Sequence, residues 1–163
     1  MSNDPVAVVN RQFEEVINAH RPDLADEVFH PELRVLRTGM QGAVQYLADR
    51  GFSHVGGPGG ATVPPTNPID GFKFGQTTIV AAFPDMHLEI LEQFAQGDRV
   101  VTRLMFRGTH KGEFIGLAPT HRKVEFEEIL LMKVTDGKIS EVWALGDSLA
   151  FLDQLGVLAG PET

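Results

Sequence analysis

The segment EVWALGD, residues 141–147, sets an acid two positions beyond a leucine and four beyond the chain's single tryptophan. In an extended strand residues two apart share a face, so Trp143, Leu145 and Asp147 line up. A carboxyl held against apolar side chains is poorly solvated when ionised. Its pKa rises toward neutrality, where it can take up and return a proton. The same Asp147 directly precedes SLAFLDQLG, and aspartate is a good helix N-cap, worth about 1 kcal/mol. From the pattern alone both roles stay open, pocket acid and cap, and Ser148 offers a cap in its place.

A second carboxylate depends on how two strands are paired. KVEFEEILLMKV and KISEVWAL flank Asp136–Gly137, a strong hairpin signal. A three-residue loop centred on Gly137 opposes Lys133 to Glu141 as an ion pair, Leu131 to Trp143, Ile129 to Leu145 and Glu127 to Asp147. A two-residue loop opposes Glu128 to Leu145 instead and leaves Asp147 across from Phe126; a bulge would shift either register. The pocket carboxylate is thus Glu127 or Glu128.

Arg103 and Arg107 alternate on one strand face. They suit an outward ion-pair face, or, for Arg103, a cation that polarises a substrate carbonyl and steadies an enolate. His110, in GTHKGEF, reads as a pocket-rim residue or as a structural histidine at a strand-to-loop junction. No HxH or HxxxH spacing occurs and cysteine is absent, so a metal is not expected.

The elements that must position these residues follow from periodicity. DPVAVVNRQFEEVINAH and PDLADEVF read as helices, each with proline near its start, and ELRVLRT as a short strand with Leu33 and Val35 on one face. FKFGQTTIVAAF reads as a helix stopped by Pro84, MHLEILEQFAQ and DRVVTRLMFRGTH as strands joined at Gly97–Asp98, and SLAFLDQLG as a closing helix stopped by Gly156. Helices first and antiparallel hairpins after predict an α+β fold with a curved sheet over the helices. The Gly/Pro-rich stretch from about 51 to 68 is read as an insertion within one domain spanning 1–163, with a lid over the pocket as its sharper role.

With 163 residues, 42% of them hydrophobic, the chain can bury a real core. Its formal charge of −8 and lack of basic clusters argue against nucleic acid or an anionic membrane as partner. The opening MSNDPVAVVNRQFEE has neither the basic start nor the apolar run of a signal peptide, which predicts a cytoplasmic protein.

A series of motifs carries a resemblance. FPD after a helix, GDRV, RLMFRGTHKGEFIGLAPT, DGKISEVW, and an aspartate four residues past the tryptophan before a Leu-rich helix ending QLG all run in one order. Together with NRQFEEVINAHRPDLADEVFHPEL they make the chain resemble the SnoaL-like polyketide cyclases of the nuclear transport factor 2-like superfamily. The resemblance implies a cone-like barrel of a mainly antiparallel sheet wrapped over N-terminal helices, assembled as a homodimer or homotetramer. It also implies a cofactor-independent, aldol-type ring closure of a small hydrophobic or aromatic carbonyl substrate, with Asp147 as acid/base. Trp143, Leu145, Glu127, His110 and Arg103 would then contact the substrate. The chain departs from the family pattern at Val142, at Leu36 or Arg37, and at His121, positions where family members commonly carry histidine, a pocket histidine and glycine respectively. Hydrolysis, hydration or isomerisation in the same pocket, and non-catalytic binding of a hydrophobic ligand, are the alternatives.

Overall fold

The computed structural model describes residues 3–52 and 65–158. The segment expected to act as a lid falls largely between these ranges, so that expectation lies outside the described residues. Helix α1 (Pro5–Arg11) is capped by Asp4, whose side chain accepts from the Val6 N–H, and continues into a wider π-type turn over Gln12–Asn18. Of the face that helical spacing predicts, Val9, Phe13, Val16 and Ile17 are buried and Val6 partly so, and Val8 is buried beside them. A 3₁₀ turn at Pro22–Leu24 leads into the short α2 (Ala25–Val28). Strand β1 (Phe29–Arg37) then passes into α3 (Gln41–Ala48), and α4 (Pro68–Ala82) follows, capped by Asn67.

The remaining strands are β2 (His87–Gln96), β3 (Arg99–Thr109), β4 (Lys123–Thr135) and β5 (Lys138–Gly146), followed by α5 (Ser148–Leu155). The fold is α+β with a curved, mixed sheet in the order β1-β5-β4-β3-β2. Consecutive strands from β2 to β5 pair antiparallel, whereas β1 joins β5 parallel, and the sheet stays open rather than closing into a barrel. No helix among the described residues is long and apolar enough to cross a membrane.

The β4–β5 hairpin contains both of the registers that the sequence allows. Asp136 and Gly137 form a two-residue turn with φ of 51° and 73°, pairing Thr135 with Lys138 and Val134 with Ile139. A bulge then absorbs Ser140, and from Lys133–Glu141 onward the pairing is that of the longer loop: Leu131 with Trp143, Ile129 with Leu145, Glu128 with Gly146. Lys133 and Glu141 face each other, but the ion pair expected between them is not made. Glu141 instead meets Arg34 at 3.4 Å and Arg99 at 3.5 Å, and Lys133 reaches Asp98 at 3.8 Å.

Candidate active site

On β4 the inward row reads Val124, Phe126, Glu128, Leu130, Met132, Val134, and every member except Glu128 is buried and apolar. Glu128 lies between Leu104 of β3, which is fully buried, and Gly146 of β5. The chain leaving β1 crosses directly above it. A Cβ built on Gly39 would stand 1.3 Å from Glu128 Oε1, so only glycine leaves room for the carboxyl. Gly146 serves the same crossing, donating its N–H to the Gly39 carbonyl at 3.1 Å, where a Cβ would come within 3.0 Å of that oxygen.

Glu128 is half-buried, and its carboxyl makes no hydrogen bond or ion pair with any described residue. Burial pushes its pKa up to about 7, against the opposing attraction of the Arg37 guanidinium. Arg37 is itself fixed by donating to the Ala144 carbonyl at 2.7 Å and the Thr38 carbonyl at 3.3 Å.

The residues singled out from sequence fall at neighbouring but distinct places. Asp147 is exposed and caps α5, its Oδ1 accepting from the Ala150 N–H at 3.0 Å, while its own N–H donates to the Glu127 carbonyl. Glu127 projects from the outward side of β4 and accepts two hydrogen bonds from Arg103, at 3.0 and 3.1 Å. That contact raises the Arg103 pKa, and Glu92 flanks the pair at 3.5 Å. Trp143 and Leu131, opposed across the hairpin, line an open hollow of about 450 Å³ on this outward side, together with Leu36 and the Arg99–Glu141 pair. Leu145 stands on the same side, beyond the hollow's lining.

His110 is fully buried, stacked on Phe83 at 5.2 Å within a cluster that includes Phe106, Phe114, Phe126 and Phe151. Its Nδ1 accepts from the Thr120 N–H at 3.1 Å, which leaves the proton of the neutral ring on Nε2. Nε2 has no partner among the described residues. Burial lowers the His110 pKa, only partly offset by the Gly112 backbone, and nearby His121 lowers it further. No cluster of histidine, aspartate and glutamate able to hold a metal occurs among the described residues.

The model of one protein family, SnoaL-like polyketide cyclase, matches residues 40–155. The chain belongs to this family. Family members similar to it include the aklanonic acid methyl ester cyclase of Streptomyces peucetius, 33% identical over 88 residues, which cover 53% of this chain and 61% of that protein. The nogalonic acid methyl ester cyclase of Streptomyces nogalater is 33% identical over 72 residues, covering 44% and 54%. The matched stretches thus span less than two thirds of either relative. Among solved structures, IdmH from Streptomyces antibioticus is 28% identical with a TM-score of 0.69, over 95% of this chain and 100% of that one. TsrD from Streptomyces laurentii, 20% identical, has the same fold, with a TM-score of 0.72 over 97% and 99%. Asp147, Trp143 and Glu128 all fall within the residues that the family model matches.

Of the two carboxylates that the sequence left as alternatives, the structure turns Glu128 inward and Glu127 outward. The signal for Glu128 was an acid in an otherwise apolar even-numbered row, readable once the even face of β4 is known to turn inward.

Proposed function

We propose that the chain closes a ring in a polyketide-type carbonyl compound by cofactor-free acid–base catalysis at the Gly146–Asp147 end of the sheet. The observation that carries this reading is the position of Asp147. It lies within the stretch that the family model matches, at the point where β5 gives way to α5, next to Gly146, the strand partner of Glu128. A carboxylate there removes a proton from carbon alpha to a carbonyl. The enolate carbon then bonds to a second carbonyl carbon, whose π electrons move to oxygen, and that oxygen takes a proton. The product is an isomer of the substrate, so no redox or group-donating partner is required. Trp143, Leu145, Arg103 and Glu127, which the family resemblance would set against substrate, lie on the outward face of the sheet, across from Glu128, and buried His110 holds the loop through the Thr120 N–H.

Aklanonic acid methyl ester, the compound named for one relative, is a suitable first probe. The expected result is a cyclised isomer formed without added cofactor. In the Asp147→Asn variant turnover should fall at least ~10²-fold, the scale of general acid–base catalysis. The fold should persist, because asparagine caps as well as aspartate. An Asn variant that cyclises at the wild-type rate removes Asp147 from the mechanism. Hydrolysed or hydrated product would assign water chemistry to the site, and binding without turnover a carrier role. We also propose that the protein works as a homodimer.

A further inference from the structure

The geometry points to Glu128 as a second proton-transfer group, the one that hands a proton to the oxygen of the newly formed ring alcohol. The inference rests on the ring-closing reading above. Four features converge on this side chain. It is the one polar member of the inward row of β4, where Phe126 and Leu130 beside it are buried. Its carboxyl fits under a backbone crossing that tolerates no side chain at Gly39 and approaches within contact of Gly146. None of the described residues satisfies it by hydrogen bond or salt bridge. The residue is half-buried rather than fully enclosed.

An unpaired carboxyl in an apolar setting costs stability, and a chain that only needed packing would fill the row with another leucine. A carboxyl protonated at neutral pH behaves differently from an exposed one: it donates an O–H hydrogen bond to a carbonyl oxygen and surrenders the proton when that oxygen becomes an alkoxide. Burial holds Glu128 in that range. The charged and titratable groups around it are few. Arg37 attracts its ionised form, Glu127 turns to the opposite side against Arg103, and Asp147 is engaged at the start of α5. The step balances. Attack of the enolate forms the C–C bond and opens the C=O π bond, the O–H proton of Glu128 goes to the alkoxide, and the carboxylate left behind is reprotonated from solvent.

The test is to run wild type, Glu128→Gln and Asp147→Asn on aklanonic acid methyl ester in D₂O, following both ring closure and deuterium entry at the alpha carbon. Glutamine keeps the shape but cannot surrender a proton to an alkoxide. Glu128→Gln should therefore lose ring closure by about 10²-fold while still exchanging the alpha proton, and the descending limb of kcat near neutral pH should disappear. Asp147→Asn should lose both signals. Wild-type ring closure with an unchanged rate and pH profile in Glu128→Gln overturns the role of Glu128 and leaves the cyclase reading intact. Absence of both signals in a folded wild type overturns the cyclase reading, and the assignment of Glu128 falls with it. If Glu128→Gln melts non-cooperatively, Glu128→Asp replaces it: a shortened acid should recover part of the ring closure, and a variant as inactive as a non-acidic Glu128→Ala would defeat the proposal.

Discussion

At the scale of single residues, two titratable groups, half-buried Glu128 and buried His110, pull stability in opposite directions with pH. The folded-state pKa of Glu128 is raised from an ordinary 4.5 to about 7, so between those values the folded protein binds more protons than the unfolded chain. Stability from this group is complete below pH 4.5 and is lost as pH rises through about 7. Glu128→Gln should therefore gain melting temperature over wild type as pH climbs across that window, with little difference at pH 4 and a constant gap above pH 8. Thermal melts at half-unit pH steps would check it, and a pH-independent gap would show that Glu128 titrates normally. His110 behaves in the reverse sense. Burial lowers its pKa, so the unfolded chain binds the extra proton and stability falls as pH drops below the ordinary histidine value of 6.5. His110→Asn keeps an acceptor near the Nδ1 position for the Thr120 N–H but cannot take up the proton. It should flatten that acid-side slope even though the smaller side chain lowers the overall melting temperature.

At the scale of elements, the crossing of the β1–α3 connection over β4 admits a direct test. Gly39→Ala puts a methyl into the space occupied by the Glu128 carboxyl. Overpacking of this kind costs roughly 1–3 kcal/mol. The penalty should shrink in a Glu128→Ala background, giving a coupling of about 0.5–3 kcal/mol in a denaturant-melt double-mutant cycle; strictly additive effects would mean that the crossing does not confine the carboxyl. Much of the element order was legible: the cap at Asp4, Asp147 as cap among its two open roles, the proline opening α1, Asp136–Gly137, and the left-handed stop at Gly156, with φ of 75°; α4, read from Phe72, opens earlier, at Pro68 behind the Asn67 cap. Helix α3 was not, although Met40, Ala43, Val44 and Leu47 stand at helical spacing. It has no side-chain cap, its first turn carries Gly42, and it is held by packing on α5, where a Cβ at Gly42 would come within 2.9 Å of Ser148 Oγ. The orientation of the β4–β5 hairpin also escaped the sequence. Both of its faces are apolar, with Leu130, Met132 and Ala144 on one and Ile129, Leu131 and Leu145 on the other, so a period of two identifies two faces without saying which is the core. The carboxylates are sorted by that unreadable choice, Glu128 inward and Glu127 outward.

At the scale of the whole molecule, the outward face of the sheet explains why both faces are apolar. Strand pairing lines up Phe94, Val101, Leu131 and Trp143 in one row across β2, β3, β4 and β5, with Ile129 and Leu145 in the next. Phe94 is 59% exposed, Leu145 46%, and Ile129 and Leu131 40% each. Between the apolar positions run charged ladders: Arg103 between Glu92 and Glu127, Arg107 between Glu89 and Glu125, and Arg99 with Glu141 and Arg34. Exposed ion pairs such as these add little stability individually. They present both signs in a fixed order, which suits pairing with a surface of matched charge. Contiguous apolar surface rimmed by charge marks an interaction face, and a second copy of the same sheet would meet it isologously, apolar row on apolar row. The homodimer proposal is tested by Leu131→Arg, at the centre of the row, compared with Leu149→Arg, an equally apolar but isolated residue, 67% exposed, on α5. By light scattering at micromolar concentration, wild type and Leu149→Arg should run as dimers. Leu131→Arg should run as a folded monomer, because a charge at the centre of a desolvated interface costs several kcal/mol. A monomeric wild type removes the dimer, and a dimeric Leu131→Arg assigns the interface to another face. Glu128 turns to the other side of the sheet, so the monomeric variant should keep the wild-type dependence of kcat on pH.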